Sequence, residues 1–401
     1  MIVANSVIIA GCVLAGIALS SKRIAGSKAW HAAVTPLASI IGSGFLVLGP
    51  ILQASYGSWA PAVMTVLCVL AWMFGAAVRR NIRVLGEGGG DPRPALDRRI
   101  DGLASWALAF AYIISVAYYL NLFGAFGVSL TEVDDRVHAR MLATAAFVMI
   151  LLVGWTRGFR ALEHLEQIFV SVKLAVIAGL LAGLVLFATG ETGRGELAWM
   201  PASVTGWPAL TLAFGLIVTV QGFETSRYLG DSYDARTRIR TMRLAQLISA
   251  AIYVVYIGLV AVGFSGREMP LGETAIVDMM GIVAPILPVL LVAAALSAQL
   301  SAAVADTGGT GGLFVELSRN RIPLRLAYLV LVAVGLVLTW AANLFEIIAY
   351  ASRAFAAYYA LQAALAALSA RRDSHPVRAA AYAILTALGA AITVFGTPVE
   401  G

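Results

Sequence analysis

The sequence predicts an all-α polytopic membrane protein of about twelve transmembrane helices. Of its 401 residues, 60% are hydrophobic and 12% are charged, whereas soluble domains carry about 25% charged residues. Two apolar stretches, residues 35–57 and 213–229, are interrupted by glycine. A broken backbone at membrane depth must be buried in protein or face a polar cavity, because lipid offers no hydrogen bonds. The chain is therefore expected to hold a polar site within the membrane.

Twelve stretches of the chain are apolar enough to cross a membrane, which takes about 20 residues per helix. The first is followed, and not preceded, by basic residues, the reverse of a secretory signal peptide, so we expect it to be retained. In chain order the predicted spans are 2–20, 31–55, 58–78, 103–127, 140–155, 164–189, 207–229, 244–264, 280–316, 324–342, 344–369 and 377–396.

The distribution of basic residues predicts the orientation. If loop 21–30 is cytoplasmic and the loops alternate, 22 of the 28 Lys and Arg residues lie in cytoplasmic loops and four lie outside. Cytoplasmic loops of membrane proteins carry such an excess. The sequence therefore predicts a multi-pass protein of the inner membrane of a bacterial-type cell, with its N-terminus outside. The basic residues serve orientation, and no nucleic-acid partner is expected.

Several function classes lack a signal in this sequence. No predicted span carries HExxH, paired catalytic aspartates or a Ser/His arrangement, so we expect no enzyme. The GEGGG run at 86–90 lacks the preceding strand and the GK[ST] of a phosphate loop. Cys12 and Cys68 lie in apolar stretches without metal-ligand spacing. We therefore expect no metal and no cofactor.

Three motifs resemble the amino acid–polyamine–organocation (APC) superfamily of transporters. IIGSGFLVLG at 40–49, followed by SYGSWAP at 55–61, is similar to the first core helix of that family. GFE at 222–224 is similar to its sixth core helix, and ELSRNRIP at 316–323 to the turn after its eighth. The resemblance covers about 31–372. It implies a 5+5 inverted-repeat core, also called the LeuT-like fold, in which core helices 1 and 6 are discontinuous.

The resemblance also implies a division of the chain. Residues 1–30 form an extra N-terminal helix and a basic cytoplasmic turn, as in the sodium/solute symporter branch of the same fold. Residues 31–190 form the first repeat, with core helices 1–5, and 191–372 the second, with core helices 6–10. Residues 373–401 add one C-terminal helix, where amino acid permeases usually have two.

The two interrupted helices supply the candidate substrate site. Half-helix ends at the bilayer midplane hold substrates and ions in many secondary transporters. Unwound backbone N–H groups can receive a carboxylate, helped by the positive end of a half-helix. The alternative is close helix packing through small residues. The predicted substrate-binding residues are Ile41, Gly42, Ser43, Gly44, Thr219, Val220, Gln221, Gly222 and Phe223.

Three ionisable residues inside spans are candidates for coupling transport to protons: Lys173, Asp306 and Glu224. Such residues are costly in a membrane unless paired or wetted, and they usually mark a pathway. We expect Lys173, about 15 Å into its helix, to pair with Asp306. In the resembled family, a lysine on the fifth core helix can occupy the place where sodium-coupled relatives bind an ion. Glu224 has the alternative of pairing with Arg227 on the same helix face.

A sodium site is the rival interpretation of this region. Ser301, Asp306 and Thr307 offer the hydroxyl and carboxylate oxygens that hard cations prefer. An ammonium beside that site would repel sodium, which favours proton coupling or exchange. Tyr350 and Arg353 are a candidate outer gate, with an Arg353–Glu346 pair as the alternative.

Together these features predict a secondary active transporter that moves a small solute by alternating access. The expected substrate is an amino acid or a related amine, and the expected coupling ion is H⁺, with Na⁺ as the alternative. A cation or nucleobase carrier of the same fold and a non-transporting sensor module remain open. Oligomeric state, transport direction and the exact substrate are not specified by the sequence.

Overall fold

Helices account for the regular secondary structure of the described residues, among which no strand occurs. The computed structural model describes residues 2–42, 44–86, 94–156, 160–193, 198–230, 232–267 and 271–399, with the backbone alone for 160–167 and 192. Nine helical segments of this part of the chain are long and apolar enough to cross a membrane: Ile2–Ser20, Gly44–Leu85, Ala95–Val128, Arg136–Thr156, Ile168–Glu191, Ala235–Gly263, Leu287–Leu317, Leu324–Ala341 and Pro376–Phe395. The prediction of an all-helical, polytopic membrane protein is confirmed.

The first half of the chain forms α1 (Ile2–Ser20), α2 (Lys22–Ala25), α3 (Lys28–Ile40), α4 (Gly44–Tyr56), α5 (Ala60–Leu85), α6 (Ala95–Val128), α7 (Arg136–Thr156) and α8 (Arg160–Gly193). A 3₁₀ turn, Gly57–Trp59, joins α4 to α5. The predicted span 31–55 is divided between α3 and α4, as its central glycines suggested. The helix α6 begins earlier than the predicted span 103–127, because its first turns carry polar residues that pair with other helices.

The second half begins with α9 (Gly206–Gly215) and two 3₁₀ turns, Ile217–Val220 and Phe223–Tyr228. It continues with α10 (Ala235–Gly263), α11 (Ala275–Val283), α12 (Leu287–Leu317), α13 (Leu324–Ala341), α14 (Leu344–Arg372) and α15 (Pro376–Phe395). The predicted span 280–316 was wrong at its start, where α11 ends and α12 has not begun. Ala284 is extended (φ −163°, ψ 139°), because the residue before a proline disfavours the helical region.

The helix α6 lies at the centre of the bundle, where it packs against both α12 and α14. Tyr118 and Tyr119 of α6 are 1% exposed, and their ring centroids lie 5.5 Å apart. Packing buries both rings inside the bundle. By contrast, α1 lies at the outside against α8, where a Cβ on Gly11 would come within 3.2 Å of Gly179 Cα. Small residues allow this close approach.

One end of the bundle is rich in arginine and is held by ion pairs, and we call it the basic end. It comprises the start of α3, the end of α5, the starts of α6 and α10, and the end of α14. Arg372 of α14 pairs with Asp97 of α6 at 2.5 Å. Arg80 of α5 pairs with Asp373, just beyond α14, at 2.6 Å. These pairs tie α5, α6 and α14 together at the ends where they meet.

Candidate functional site

The first helix break lies between α3 and α4. The chain leaves the helix at Ile41, whose N–H donates to Leu37, and the Gly42 N–H donates to the Ser39 carbonyl at 3.2 Å. The predicted binding residue Ser43 lies outside the described residues. The new helix begins at Gly44. The break therefore occurs at the glycines that the sequence singled out.

The second break replaces the middle of the predicted span 207–229. After α9 the backbone turns through Ile217–Val220, is extended at Gln221, and reaches a φ of +117° at Gly222. Only glycine adopts such an angle readily. Ser352 of α14 accepts from the Val218 N–H at 3.0 Å and donates to the Gly215 carbonyl at 2.6 Å. Backbone groups freed by the break thus find partners within the protein, as burial in a membrane requires.

The two breaks lie against each other. A Cβ on Gly44 would come within 2.6 Å of Thr219 Cβ, and one on Gly222 within 2.5 Å of the Ser39 carbonyl carbon. The hydroxyl of Tyr253, on α10, donates to the Ile40 carbonyl at 2.6 Å and lies 3.0 Å from the Thr219 carbonyl. Glycine is thus required here for close packing, and one tyrosine bridges both breaks.

Side chains around the second break point into the protein. The Thr219 hydroxyl donates to the Leu216 carbonyl at 2.5 Å. Phe223 stacks on Tyr359 of α14 with ring centroids 5.0 Å apart. Val220 and Gln221 are buried, and Gln221 Oε1 has no hydrogen-bond partner among the described residues.

Glu224 is fully buried directly after this break. Its Oε2 atom accepts from the Gly222 N–H at 2.9 Å and from the Tyr359 hydroxyl at 2.8 Å. Arg227 instead pairs with Asp101 of α6, at 2.5 and 2.7 Å, and donates to Gln362 of α14. The alternative that Glu224 pairs with Arg227 is thus replaced by a bond to α14.

A cavity of about 350 Å³ extends from Ser39, beside the breaks, toward the basic end. Five elements line it: α3, the turn Phe223–Tyr228, α6, α8 and α12. Its polar lining residues are Thr35, Ser39, Tyr112, Lys173, Thr225, Tyr228, Ser301, Asp306 and Glu316. Small-molecule sites are typically cavities with a largely apolar lining and a few polar or charged side chains. The cavity brings three predicted residues together, Lys173, Ser301 and Asp306.

Lys173 and Asp306 face this cavity from opposite helices, α8 and α12. Lys173 is 7% exposed, and its Nζ donates to the Ala38 carbonyl at 3.1 Å. Asp306 is 4% exposed, and its Oδ2 accepts from the Ser115 hydroxyl of α6. The pair between Lys173 and Asp306 stays a prediction, although one cavity holds both groups. Through its bond to the Ala38 carbonyl, Lys173 links α8 to the last turn of α3, directly before the first break.

The remaining predicted residues lie outside this cavity. The Thr307 hydroxyl is buried and donates to the Ala303 carbonyl at 2.6 Å, within its own helix. Arg353 donates from Nε to the Thr393 carbonyl of α15 at 2.7 Å. Glu346 caps the start of α14 through Asn343, so the alternative of an Arg353–Glu346 pair is not what the structure has. Tyr350 is 40% exposed on the outside of the bundle.

A second cavity, of about 310 Å³, lies at the opposite end of α6. Asp134, Asp135, Glu273 and Asn343 contribute to its lining. Burial raises the pKa of Glu273, while the positive charges of Arg136 and Arg140 oppose the rise. Of the predicted site residues that the structure describes, none lines this cavity.

Sequence reasoning missed three hydroxyl-bearing residues of the site. Ser115 contacts Asp306, Tyr253 contacts both breaks, and Tyr359 contacts Glu224. Each lies on a helix far from its partner in the chain, so no spacing rule connects them. Their signal was a hydroxyl in the middle of an apolar span, where a polar group needs a partner.

A family model described as APC superfamily transporter matches residues 22–396. The chain belongs to the APC superfamily. The match begins directly after α1 and includes both breaks and the cavity. An uncharacterized protein of Aquifex aeolicus (strain VF5) is 37% identical over 393 residues, which covers 95% of this chain and 93% of that protein. Membership makes this APC superfamily protein a membrane transporter with a small-molecule substrate.

Proposed function

We propose that this protein is a secondary active transporter that carries an amino acid or a related amine across the inner membrane by alternating access. The observation that carries the proposal is the cavity, which lies beside two mutually packed helix breaks and is lined by a buried lysine and a buried aspartate. Half-helix ends beside a polar cavity are how many secondary transporters bind their substrates.

The proposed architecture has twelve crossings and an inverted-repeat core. The proposed count starts from the nine apolar segments and adds three crossings: the broken pair α3–α4, the broken segment Gly206–Tyr228 and α14. One of the nine, Gly44–Leu85, contains α4, which is the second part of the broken pair, together with the full span α5. The repeats would be 31–190 and 191–372, each opening with its broken helix. Residues 1–30 and 373–401 would flank the core, with residues 21–30 in the cytoplasm and the N-terminus outside.

The substrate would lie between the breaks and the cavity. The start of α4 carries the positive end of a helix dipole, so the backbone at Gly44 would receive a carboxylate. The Ile41 and Gly42 N–H groups, which donate to the Leu37 and Ser39 carbonyls, would have to exchange those bonds to join it. The Asp306 carboxylate is the natural partner of an ammonium group in the cavity. The opposite wall would be formed by the second break, with Thr219, Val220, Gln221, Gly222 and Phe223.

Coupling would run through Lys173, Asp306 and Glu224. A buried ammonium must be neutralised or paired, so a proton moving onto or off Lys173 changes which partners hold α8 to α3. That favours proton coupling or exchange. Sodium coupling, with Ser301, Asp306 and Thr307 as oxygen ligands, is the competing assignment, and the Lys173 ammonium in the same cavity argues against it.

Ligand-induced thermal stabilisation tests the location of the site. We expect one class of amino acids or amines to raise the unfolding temperature of the purified protein, since a ligand that binds only the folded state stabilises it. Asp306→Asn should remove the rise, and Ser297→Ala, a half-buried position whose hydroxyl bonds only within the same helix, should keep it. Stabilisation that survives Asp306→Asn would place the site elsewhere.

A further inference from the structure

A large open groove lies at the basic end, apart from the substrate cavity. It has a volume of about 970 Å³ and runs between the start of α3, the end of α5 and the start of α10. Its charged lining comes from Arg83, Arg236, Arg240 and Arg243, and its apolar lining includes Leu244 and Leu247. Among the described residues, no carboxylate lines it.

The arginines are arranged as a cluster of like charge. Arg236, Arg240 and Arg243 follow at i, i+4 and i+7 on α10, so they share one helix face. All three are exposed, and Arg83 of α5 adds a fourth guanidinium across the groove. Like charges at this spacing repel one another. An anion in the groove would relieve that repulsion, and guanidinium groups bind phosphate oxygens in bidentate geometry.

The apolar part of the groove continues the same face of α10 into the membrane region. Leu244 is 41% exposed and Leu247 is 56% exposed. From Arg236 to Leu247 the helix rises about 16 Å, which carries the groove from headgroup level to acyl-chain level. A free phosphate would use the arginines alone. A phospholipid would use both parts.

We propose that this groove binds an anionic phospholipid, with its phosphate on Arg83, Arg236, Arg240 and Arg243 and an acyl chain on Leu244 and Leu247. Basic pockets between transmembrane helices are suited to acidic headgroups. The lipid would hold α10 to α5 and α3. Because Tyr253 of α10 bridges both helix breaks, this lipid would also steady the helix that supports the substrate site.

Lipid binding to the delipidated protein in detergent tests the proposal. Phosphatidylglycerol is titrated against phosphatidylcholine and against inorganic phosphate, with bound lipid counted by native mass spectrometry. We expect phosphatidylglycerol to bind tightly. Phosphatidylcholine, and inorganic phosphate at the same concentration, should bind only weakly. Equal binding of the two lipids, or phosphate binding as tight as lipid, would overturn the proposal.

Two variants locate the binding. The triple change Arg236→Gln, Arg240→Gln and Arg243→Gln should weaken phosphatidylglycerol binding on the order of a hundredfold, since each basic residue near an acidic headgroup contributes about fivefold. A matched triple change at exposed arginines elsewhere, Arg321→Gln, Arg371→Gln and Arg378→Gln, should leave it unchanged.

A further variant guards against loss of fold in the triple change. Leu247→Ser should weaken lipid binding and leave the weak phosphate binding unchanged, because it alters only the apolar part. An equal loss of phosphatidylglycerol binding in the two triple variants would mean that binding depends only on net charge. That result would contradict a specific site in the groove.

Discussion

The Glu224 carboxylate accepts a 2.8 Å hydrogen bond from the Tyr359 hydroxyl, which joins the second helix break to α14. The same carboxylate oxygen accepts from the Gly222 N–H, so one side chain fixes the turn and its neighbour. Both residues are buried, and water does not replace a lost partner there.

Tyr359→Phe is expected to destabilise the protein and to leave its helices intact. A buried group that loses its hydrogen-bond partner costs about 1–3 kcal/mol. The thermal unfolding temperature in detergent should therefore fall, whereas Tyr382→Phe, on the partly exposed α15, should change it little. An unchanged unfolding temperature for Tyr359→Phe would mean that the bond does not hold the break.

Lys173→Ala is expected to abolish coupled uptake. The Lys173 ammonium joins α8 to the last turn of α3 through the Ala38 carbonyl. Among the described residues that line the candidate cavity, it is the one basic side chain. Accumulation in proteoliposomes measures the effect, and Thr189→Ala, exposed on the same helix, serves as the control. Accumulation like that of the wild type would remove Lys173 from the mechanism.

Gly222→Ala is expected to prevent stable folding of the second break. A left-handed backbone angle costs a non-glycine residue about 1–2 kcal/mol, and the new methyl would lie 2.5 Å from the Ser39 carbonyl carbon. Gly258→Ala provides the contrast, because it meets nothing within 4 Å on α10 and alanine favours a helix interior by about 1 kcal/mol. Equal yields and unfolding temperatures for the two variants would contradict the packing described.

The stabilising effect of Glu273→Gln, relative to the wild type, is expected to grow as pH rises. Burial raises the pKa of Glu273, so its neutral form favours folding at low pH. That contribution is lost as pH climbs through the raised pKa, and glutamine, which stays neutral, avoids the loss. Unfolding temperatures at about pH 4 and about pH 8 measure the difference, with the exposed Glu132→Gln as control. A larger gain in unfolding temperature from Glu273→Gln at the lower pH would contradict this prediction.

The nine apolar helical segments of the described residues and both breaks could be predicted from sequence, because each has a local cause. Apolar length marks a span, and Gly42, Gly44 and Gly222 mark places where a helix can open. The bounds differ from the prediction for two reasons. Polar residues in the first turns of α6 extend that helix, and the proline after Ala284 separates α11 from α12.

The partners inside the site could not be predicted, because they depend on how helices rotate against one another. Asp306 meets Ser115, and Glu224 meets Tyr359, across more than a hundred residues of sequence. The burial of Tyr118 and Tyr119 likewise depends on how α6 is rotated against its neighbours.

Uptake into sodium-free proteoliposomes under an inward proton gradient is the most direct test of the central claim. A pooled panel of labelled amino acids and amines is offered to the wild type and to Asp306→Asn. We predict accumulation of one substrate class that collapses with a protonophore and is absent in the variant. Folded wild-type protein that accumulates nothing under either a proton or a sodium gradient would contradict the account.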